Sequence, residues 1–327
     1  MDEPGNTTTA TQDLPRVGIS RCLLGENVRY DGGHKLDRFL RDVLGRHVAF
    51  VPVCPEVECG LTVPREAMRL VGDPESPRLL TIKTRQDITP RMAAWADERV
   101  AQLADAGLCG FVFKFGSPSS GMSRVKVYPE AGGPAALKGR GLFAARLMDA
   151  QPLLPVEDEG RLNDPALREN FIERVFVMHR WRSMLAQGFS LGRLVDFHTR
   201  HKLLVMAHSV VHYRSLGKLV AQGAQLPSEE LQHAYLSGLM EALRLEATVK
   251  KQSNALAHVM GYFKRSLSAD EKQELLEVLE AYARELVPLI VPMTLLNHYV
   301  RKFGEQYLAG QWYLRPHPAE LKLRNHV

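Results

Sequence analysis

The sequence predicts an α/β domain built on a Rossmann-like parallel sheet, followed by an all-α helical domain. Two observations carry this prediction. In the first half, short apolar runs rich in β-branched residues alternate with amphipathic helical patterns, as in a parallel sheet with right-handed crossovers. Beyond about residue 165 the strand signal fades and only long helical patterns remain. A chain of 327 residues is long enough for two such domains, each with its own core.

Taken in order, RVGIS at 16–20, AFVPV at 49–53 and GFVFKF at 110–115 read as buried strands, since each is a short apolar run bounded by turn residues. Between them, KLDRFLRDVLGRH at 35–47 and ITPRMAAWADERVAQLADAG at 88–107 carry apolar residues at helical spacing. Thr89 followed by Pro90 is a good helix start. RVKVY at 124–128 and PLLPVE at 152–157 are further strand candidates. The second half carries long amphipathic patterns at 190–209, 229–245, 251–267 and 269–300. Ser268-Ala269-Asp270-Glu271 looks like a capped helix entry, and Pro288 and Pro292 should kink or end the helices around them. The expected organisation is a disordered tail over 1–14, the α/β domain over 15–165 and the helical domain over 166–327.

The first residues, MDEPGNTTTATQ, lack the basic start and apolar stretch of a secretory signal, and no apolar run reaches the roughly 20 residues of a membrane span. A cytoplasmic protein without a membrane partner is therefore expected. Four cysteines in such a chain do not suggest a disulfide framework, which leaves buried thiols or metal ligands. The net charge of +5 is uneven: residues 1–160 carry 20 basic and 21 acidic residues, so the basic surplus lies in the second half. Any attraction for a polyanion belongs there. Oligomeric state is left open by the sequence.

The three most distinctive segments each follow a predicted strand. RVGIS runs into RCLLGENVRYDGG, AFVPV into CPEVECGLTVPRE, and GFVFKF into GSPSSGMSRV. In a parallel sheet the carboxyl ends of the strands share one edge, and ligands bind where the strand order reverses. Cys22, Cys54 and the serine loop should therefore converge. Alone, two cysteines are more often buried small hydrophobes than ligands. No Cys-x2-Cys pair supports zinc, and the glycines match no Walker or dinucleotide fingerprint.

These segments, together with FHTRHKLLVMAHSVVHYRSLGKLV at 197–220, resemble a known family. The chain looks like a thiouracil desulfidase domain fused to a YbgA-like domain, as in tRNA 4-thiouridine desulfidases of the RudS type. The resemblance implies a [4Fe-4S] cluster held by Cys22, Cys54 and a third cysteine in the serine loop, where this sequence has Ser120. A hydroxyl is a much poorer iron ligand than a thiolate. An introduced change, a natural variant, or replacement by Cys59 or Cys109 are the open explanations. Cys109, ahead of its strand, should lie at the opposite edge, whereas Cys59 is close enough in sequence to Cys54 to reach.

With three protein ligands, one iron of such a cluster keeps an open position for a soft thiocarbonyl sulfur, so that water can attack the ring carbon as sulfide leaves. The candidate acid or base is Glu56 first and Asp31 second. Ser20, Ser117 and Lys114 are candidates to orient a thiolated pyrimidine, and Arg29 to meet a phosphate. The bland readings stand beside these: Asp31 as a turn residue, Glu56 as a surface carboxylate, Lys114 as a snorkelling side chain.

In the helical half, His198, His201, His208 and His212, at spacings of three, seven and four, lie along one helical stripe, where a metal site is weighed against nucleic-acid contacts by the same stretch. Arg200, Lys202, Tyr213, Arg214 and Lys218 mix cations with an aromatic, and basic residues recur at Lys250, Lys251, Lys264 and Arg265. Such a mixture suits RNA phosphates and bases, or a solvated helix face. The expected activity is removal of sulfur from 4-thiouridine in tRNA to give uridine, with this form impaired by Ser120. Desulfuration of free thiouracil bases or nucleotides, and an RNA-binding protein with a vestigial cluster site, are the alternatives.

Overall fold

The computed structural model describes residues 13–325. Among the described residues the first half holds eight strands: β1 (Arg16–Ser20), β2 (Ala49–Val53), β3 (Met68–Val71), β4 (Arg78–Thr81), β5 (Gly110–Phe113), β6 (Val125–Tyr128), β7 (Ala136–Gly139) and β8 (Val156–Asp158). One sheet, in the order β2-β1-β5-β8, is parallel throughout. Its register sets Ser20 beside Val53, Ile19 beside Val112 and Phe113 beside Asp158. The segments starting at Arg21, Cys54, Lys114 and Glu159 therefore leave from one edge. The chain steps from β1 to β2 on one side and later fills β5 and β8 on the other, so the strand order reverses between β1 and β5.

A second sheet, β4-β3-β6-β7, is mixed and lies over a small core of Leu70, Leu79, Val125 and Val127. RVKVY contributes to this sheet and not to the parallel one. Strands β3, β4 and β7 escape sequence reading because they are four residues each and partly exposed, with arginine or lysine in the run. Helices in this half are the single turn α1 (Pro55–Glu58), α2 (Thr89–Asp105) and α3 (Leu142–Ala150). The helix expected over 35–47 shrinks to a wide turn at 39–43 and a tight one at 44–46. Its first residues are drawn out of the helix because the Lys35 and Asp37 N–H groups donate to the carbonyls of Cys22 and Leu23.

The second half is helical, as expected: α4 (Pro165–Ala186), α5 (Leu191–His208), α6 (Val210–Ala221), α7 (Ser228–Arg244), α8 (Val249–Met260), α9 (Ala269–Ala283), α10 (Ile290–Phe303) and the turn α11 (Gln306–Ala309). Ser268 and Glu271 form the reciprocal cap that opens α9, and Pro292 sits in the first turn of α10. The chain does not continue as one helix through the histidines. Ser209 is extended (φ −159°, ψ 112°) and its hydroxyl accepts from the His212 N–H, capping α6 as a separate helix. The expectation of one stripe through His212 is thereby overturned.

Helices α2 and α3 cover one face of the parallel sheet, with Phe111, Phe113 and Phe143 packed between the layers. The other face is covered by α4, the first helix of the second half. Phe171, Ile172 and Val175 join Val17, Ile19 and Val112 in one core that runs on into the helical bundle. Contact is close at Gly110, where any Cβ would come within 2.7 Å of Val175. The division expected at 165/166 thus falls where α4 begins, and the helical half supplies the sheet's second face. The tail expected over 1–14 lies, through residue 12, outside the described residues. Among the described residues no helix is long and apolar enough to cross a membrane.

Candidate functional site at the carboxyl edge of the sheet

The edge where strand order reverses opens into a cavity of about 400 Å³. Cys22, Cys54 and Ser120 all line it, and so do Ser20, Arg29, Glu56, Lys114 and Ser117. Residues up to 100 positions apart meet here because three strand ends deliver them. Cys22 lies in a tight turn, Arg21–Leu24, stopped by Gly25 in the left-handed region (φ 95°). Cys54 precedes α1, its N–H donating to Glu58 Oε1 at 2.7 Å. Ser20 ties two of the loops together, its hydroxyl accepting from the Lys114 N–H at 3.0 Å.

The serine loop is held from behind by α3. The first N–H groups of that helix, on Leu142, Phe143 and Ala144, donate to the carbonyls of Pro118 and Ser119. These donors have no partner within their own helix, so the loop caps the helix while the helix fixes the loop. Gly141 makes the approach possible. A Cβ there would lie 2.5–2.7 Å from the Ser119 carbonyl and the Ser120 nitrogen. Within the loop, Ser117 Oγ accepts from the Ser120 N–H at 3.1 Å.

Glu56 is the carboxylate at the cavity wall. It accepts from Ser119 Oγ at 2.8 Å and pairs with Arg65, whose side chain is 5% exposed. Arg65 also donates to the Val28 carbonyl at 3.0 Å, so one guanidinium braces the cysteine loop and Glu56 together. Lys114 is paired with Glu159, which also accepts from the Phe115 N–H at 2.7 Å. Arg65, Glu159 and Gly141 were not singled out in the sequence. PREA at 64–67 and the acidic run EDE at 157–159 carry no spacing that marks them. Asp31 does not line the cavity. It is exposed and accepts from the Gly33 N–H at 3.1 Å, which with Arg29 holds its carboxyl below the usual range. That is the geometry of a turn. Tyr30 and Phe115, both exposed, add aromatic surface to the cavity wall.

Burial pushes the Cys22 thiol up to about 11, against the pull of Lys114 and Arg29, and raises Cys54 as well. Both are protonated thiols near neutrality until a metal displaces the protons. Two sulfur donors and a hydroxyl therefore share one hollow, which fits an iron-sulfur cluster in its convergence and departs from thiolate ligation at Ser120. Cys59 lies outside the cavity lining, packed with the second sheet's core, its thiol 3.3 Å from the Glu56 carbonyl. Cys109 precedes β5, its N–H bound to the Arg16 carbonyl at the far edge.

The histidines of the helical half each serve a local contact. His198 faces Tyr235 Oη at 3.1 Å, His201 the Phe197 carbonyl, His208 both Glu173 and the Leu245 carbonyl, and His212 Ser209 Oγ. No group of three metal-binding His, Cys, Asp or Glu side chains occurs among the described residues. Of the basic candidates, Arg200 lies over Trp312 and Lys202 over Tyr307, while Lys251 bonds the Glu246 carbonyl. Arg214, Lys218, Lys250, Lys264 and Arg265 are exposed, and Tyr213 is half-buried.

Residues 17–159 match the family model described as 2-thiouracil desulfurase, and residues 202–318 match that of a protein of unknown function, DUF1722. The chain is 31% identical over 153 residues to the uncharacterized protein YbgA of Escherichia coli K12, covering 46% of this chain and 90% of that protein. It is 27% identical over 151 residues to the uncharacterized protein YbbK of Bacillus subtilis 168, covering 45% of this chain and 97% of YbbK. A solved structure titled as a [4Fe-4S]-dependent thiouracil desulfidase, TudS, is 30% identical, covers 47% of this chain and 97% of its own, and superposes with a TM-score of 0.39.

Proposed function

The chain belongs to the 2-thiouracil desulfurase family through its first half and to the family of YbgA through its second, and from that premise we propose that it removes sulfur from 4-thiouridine in tRNA to leave uridine. The observation that carries this reading is the meeting of Cys22, Cys54 and Ser120 in one cavity at the switch point of the sheet. Cys22 and Cys54 would hold a [4Fe-4S] cluster, with Ser120 at the third ligand position. When bound, the cluster supplies an open iron, a soft Lewis acid for the thiocarbonyl sulfur.

The chain's own residues do the rest. Glu56, braced by Arg65 and Ser119, takes a proton from the attacking water. Ser117 and Lys114 face the pyrimidine edge, and Tyr30 and Phe115 give its ring apolar surface. Arg29 meets the nucleotide's phosphate at the rim. The helical half grips the RNA, because a base inside folded RNA reaches a cavity of this kind only when splayed out. Arg200, Lys202, Tyr213, Arg214, Lys218, Lys250, Lys251, Lys264 and Arg265 are its contacts.

The test uses the full chain with Ser120→Cys, reconstituted anaerobically and incubated with thiolated tRNA. Loss of the 4-thiouridine absorbance with uridine in the nucleoside digest supports the reading. Turnover of free thiouracil with tRNA untouched replaces it with a free-base desulfidase. Ser120 favours one further reading, an RNA-binding protein whose cluster site is vestigial. Tight tRNA binding with no iron retained in either form would establish that instead.

A further inference from the structure

Remote from the cysteine cavity, α4, α5 and the segment after α11 enclose a second hollow of about 420 Å³. Three arginines line it, Arg180, Arg193 and Arg200, against the single carboxylate of Asp196. Arg193 is occupied, donating to the Gln187 and Gly188 carbonyls at the end of α4. Arg180 and Arg200 converge on Trp312, their guanidinium carbons 4.2 and 5.0 Å from the indole centroid.

Arg180 is the unusual group. Its Nε donates to His201 Nε2 at 3.0 Å, its Nη1 donates to the Pro316 carbonyl at 2.9 Å, and its Nη2 is buried without a partner. His201 cannot balance the charge: its Nδ1 faces the Phe197 carbonyl at 2.7 Å, so Nδ1 carries the proton and Nε2 is a neutral acceptor. Burial pushes Arg180 down to about 9, with Glu173 pulling the other way and Arg200 adding to the fall. Cations taken out of water are normally paired, and leaving one unpaired is costly.

We infer that this hollow is a binding site for a phosphate carried on a nucleoside, with Arg200 as the accessible donor, the half-buried Arg180 as the second cation and Trp312 beside the sugar or base. Paired guanidiniums suit phosphate oxygens, and the volume exceeds that of a phosphate alone. Its failure leaves the desulfurising reading of the other cavity untouched. An RNA phosphodiester and a free mononucleotide share this chemistry.

The test labels the full chain with 5-fluorotryptophan, whose three ¹⁹F signals report Trp95, Trp181 and Trp312 separately, with Trp312→Phe assigning the last. Uridine 5′-monophosphate, a short oligouridylate and uridine are titrated at constant ionic strength. The Trp312 signal is expected to move with one of the phosphorylated ligands and not with uridine. A response to the mononucleotide identifies a nucleotide site, and a response to the oligomer alone identifies an RNA backbone site. Arg200→Gln, on the exposed rim, is expected to weaken that response about tenfold or more. An unmoved Trp312 signal, an equal response to uridine, or full affinity in Arg200→Gln would overturn the inference. None of these readouts needs Arg180 to be replaced.

Discussion

Ser119 and Glu56 stand 63 positions apart in the chain, yet the Ser119 hydroxyl donates to the Glu56 carboxylate at 2.8 Å. This bond joins the serine loop to the second cysteine loop, and Arg65 closes the bracket from the other side. Glu56→Gln keeps an acceptor for Ser119 and removes the base and the charge opposite Arg65. In the Ser120→Cys form, desulfuration is expected to fall about 100-fold or more, the usual range for loss of a positioned base. Iron content should stay the same. A variant that loses iron in parallel would place Glu56 among the cluster's supports instead.

Replacing Ser120 by Cys supplies a thiolate where the cavity now has a hydroxyl. Iron retained after anaerobic reconstitution is expected to rise several-fold over the parent chain, with the visible absorbance of an iron-sulfur cluster. Cys22→Ser in the same background should abolish it. Cys109→Ser should change nothing, since Cys109 lies at the far edge of the sheet. A loss on Cys59→Ser in the parent chain would identify Cys59 as the substitute third ligand.

The parallel sheet and the meeting of its three loops were legible in the sequence because buried strands and the segments that follow them carry strong local signals. RVGIS, AFVPV and GFVFKF are continuous apolar runs, and a parallel sheet leaves their carboxyl ends little choice of where to go. The second sheet was not legible, since RLLT and ALKG alternate weakly beside their antiparallel partners β3 and β6, and the sheet is completed only where β3 pairs with β6 far along the chain. The break at Ser209 was hidden because an apolar periodicity continues on both sides of it. Arg65 and Glu159 were missed for a related reason. A charged side chain announces its role only through the partner that folding brings to it.

Gly141 offers a test of how the serine loop is held. Its backbone (φ −63°, ψ 144°) is open to any residue, so Gly141→Ala acts purely through the contact of a new methyl with the Ser119 and Ser120 backbone. Overpacking of this kind costs about 1–3 kcal/mol. The loop is expected to move away from α3 and carry Ser120 and Ser119 with it. In the Ser120→Cys background this should lower both iron content and activity while the chain remains folded. Unchanged iron content would show that the loop accommodates the methyl without moving the third ligand.

The stability of the helical half should fall as the solution is made acidic, well before its carboxylates protonate. His198 and His201 are buried and His317 half-buried, and burial holds His198 and His317 down to about 4 and His201 well below its ordinary value. In the unfolded chain each takes up a proton near pH 6.5, so between about 6.5 and about 4 the unfolded state binds more protons than the folded one and stability declines with falling pH. His208 runs the other way. Burial opposes its charge, but Glu173 at 2.7 Å prevails and raises it, so its contribution is complete below about pH 6.5 and fades as pH rises through its folded value. Burial lowers His179 as well, and four groups against one make the net change a loss, read as a falling melting temperature from about pH 7 to about pH 4.5. His198→Gln, whose amide can still meet the Tyr235 hydroxyl, is expected to flatten the decline, with equal stability near neutrality. An identical slope in that variant would show that His198 is not kept neutral by the fold.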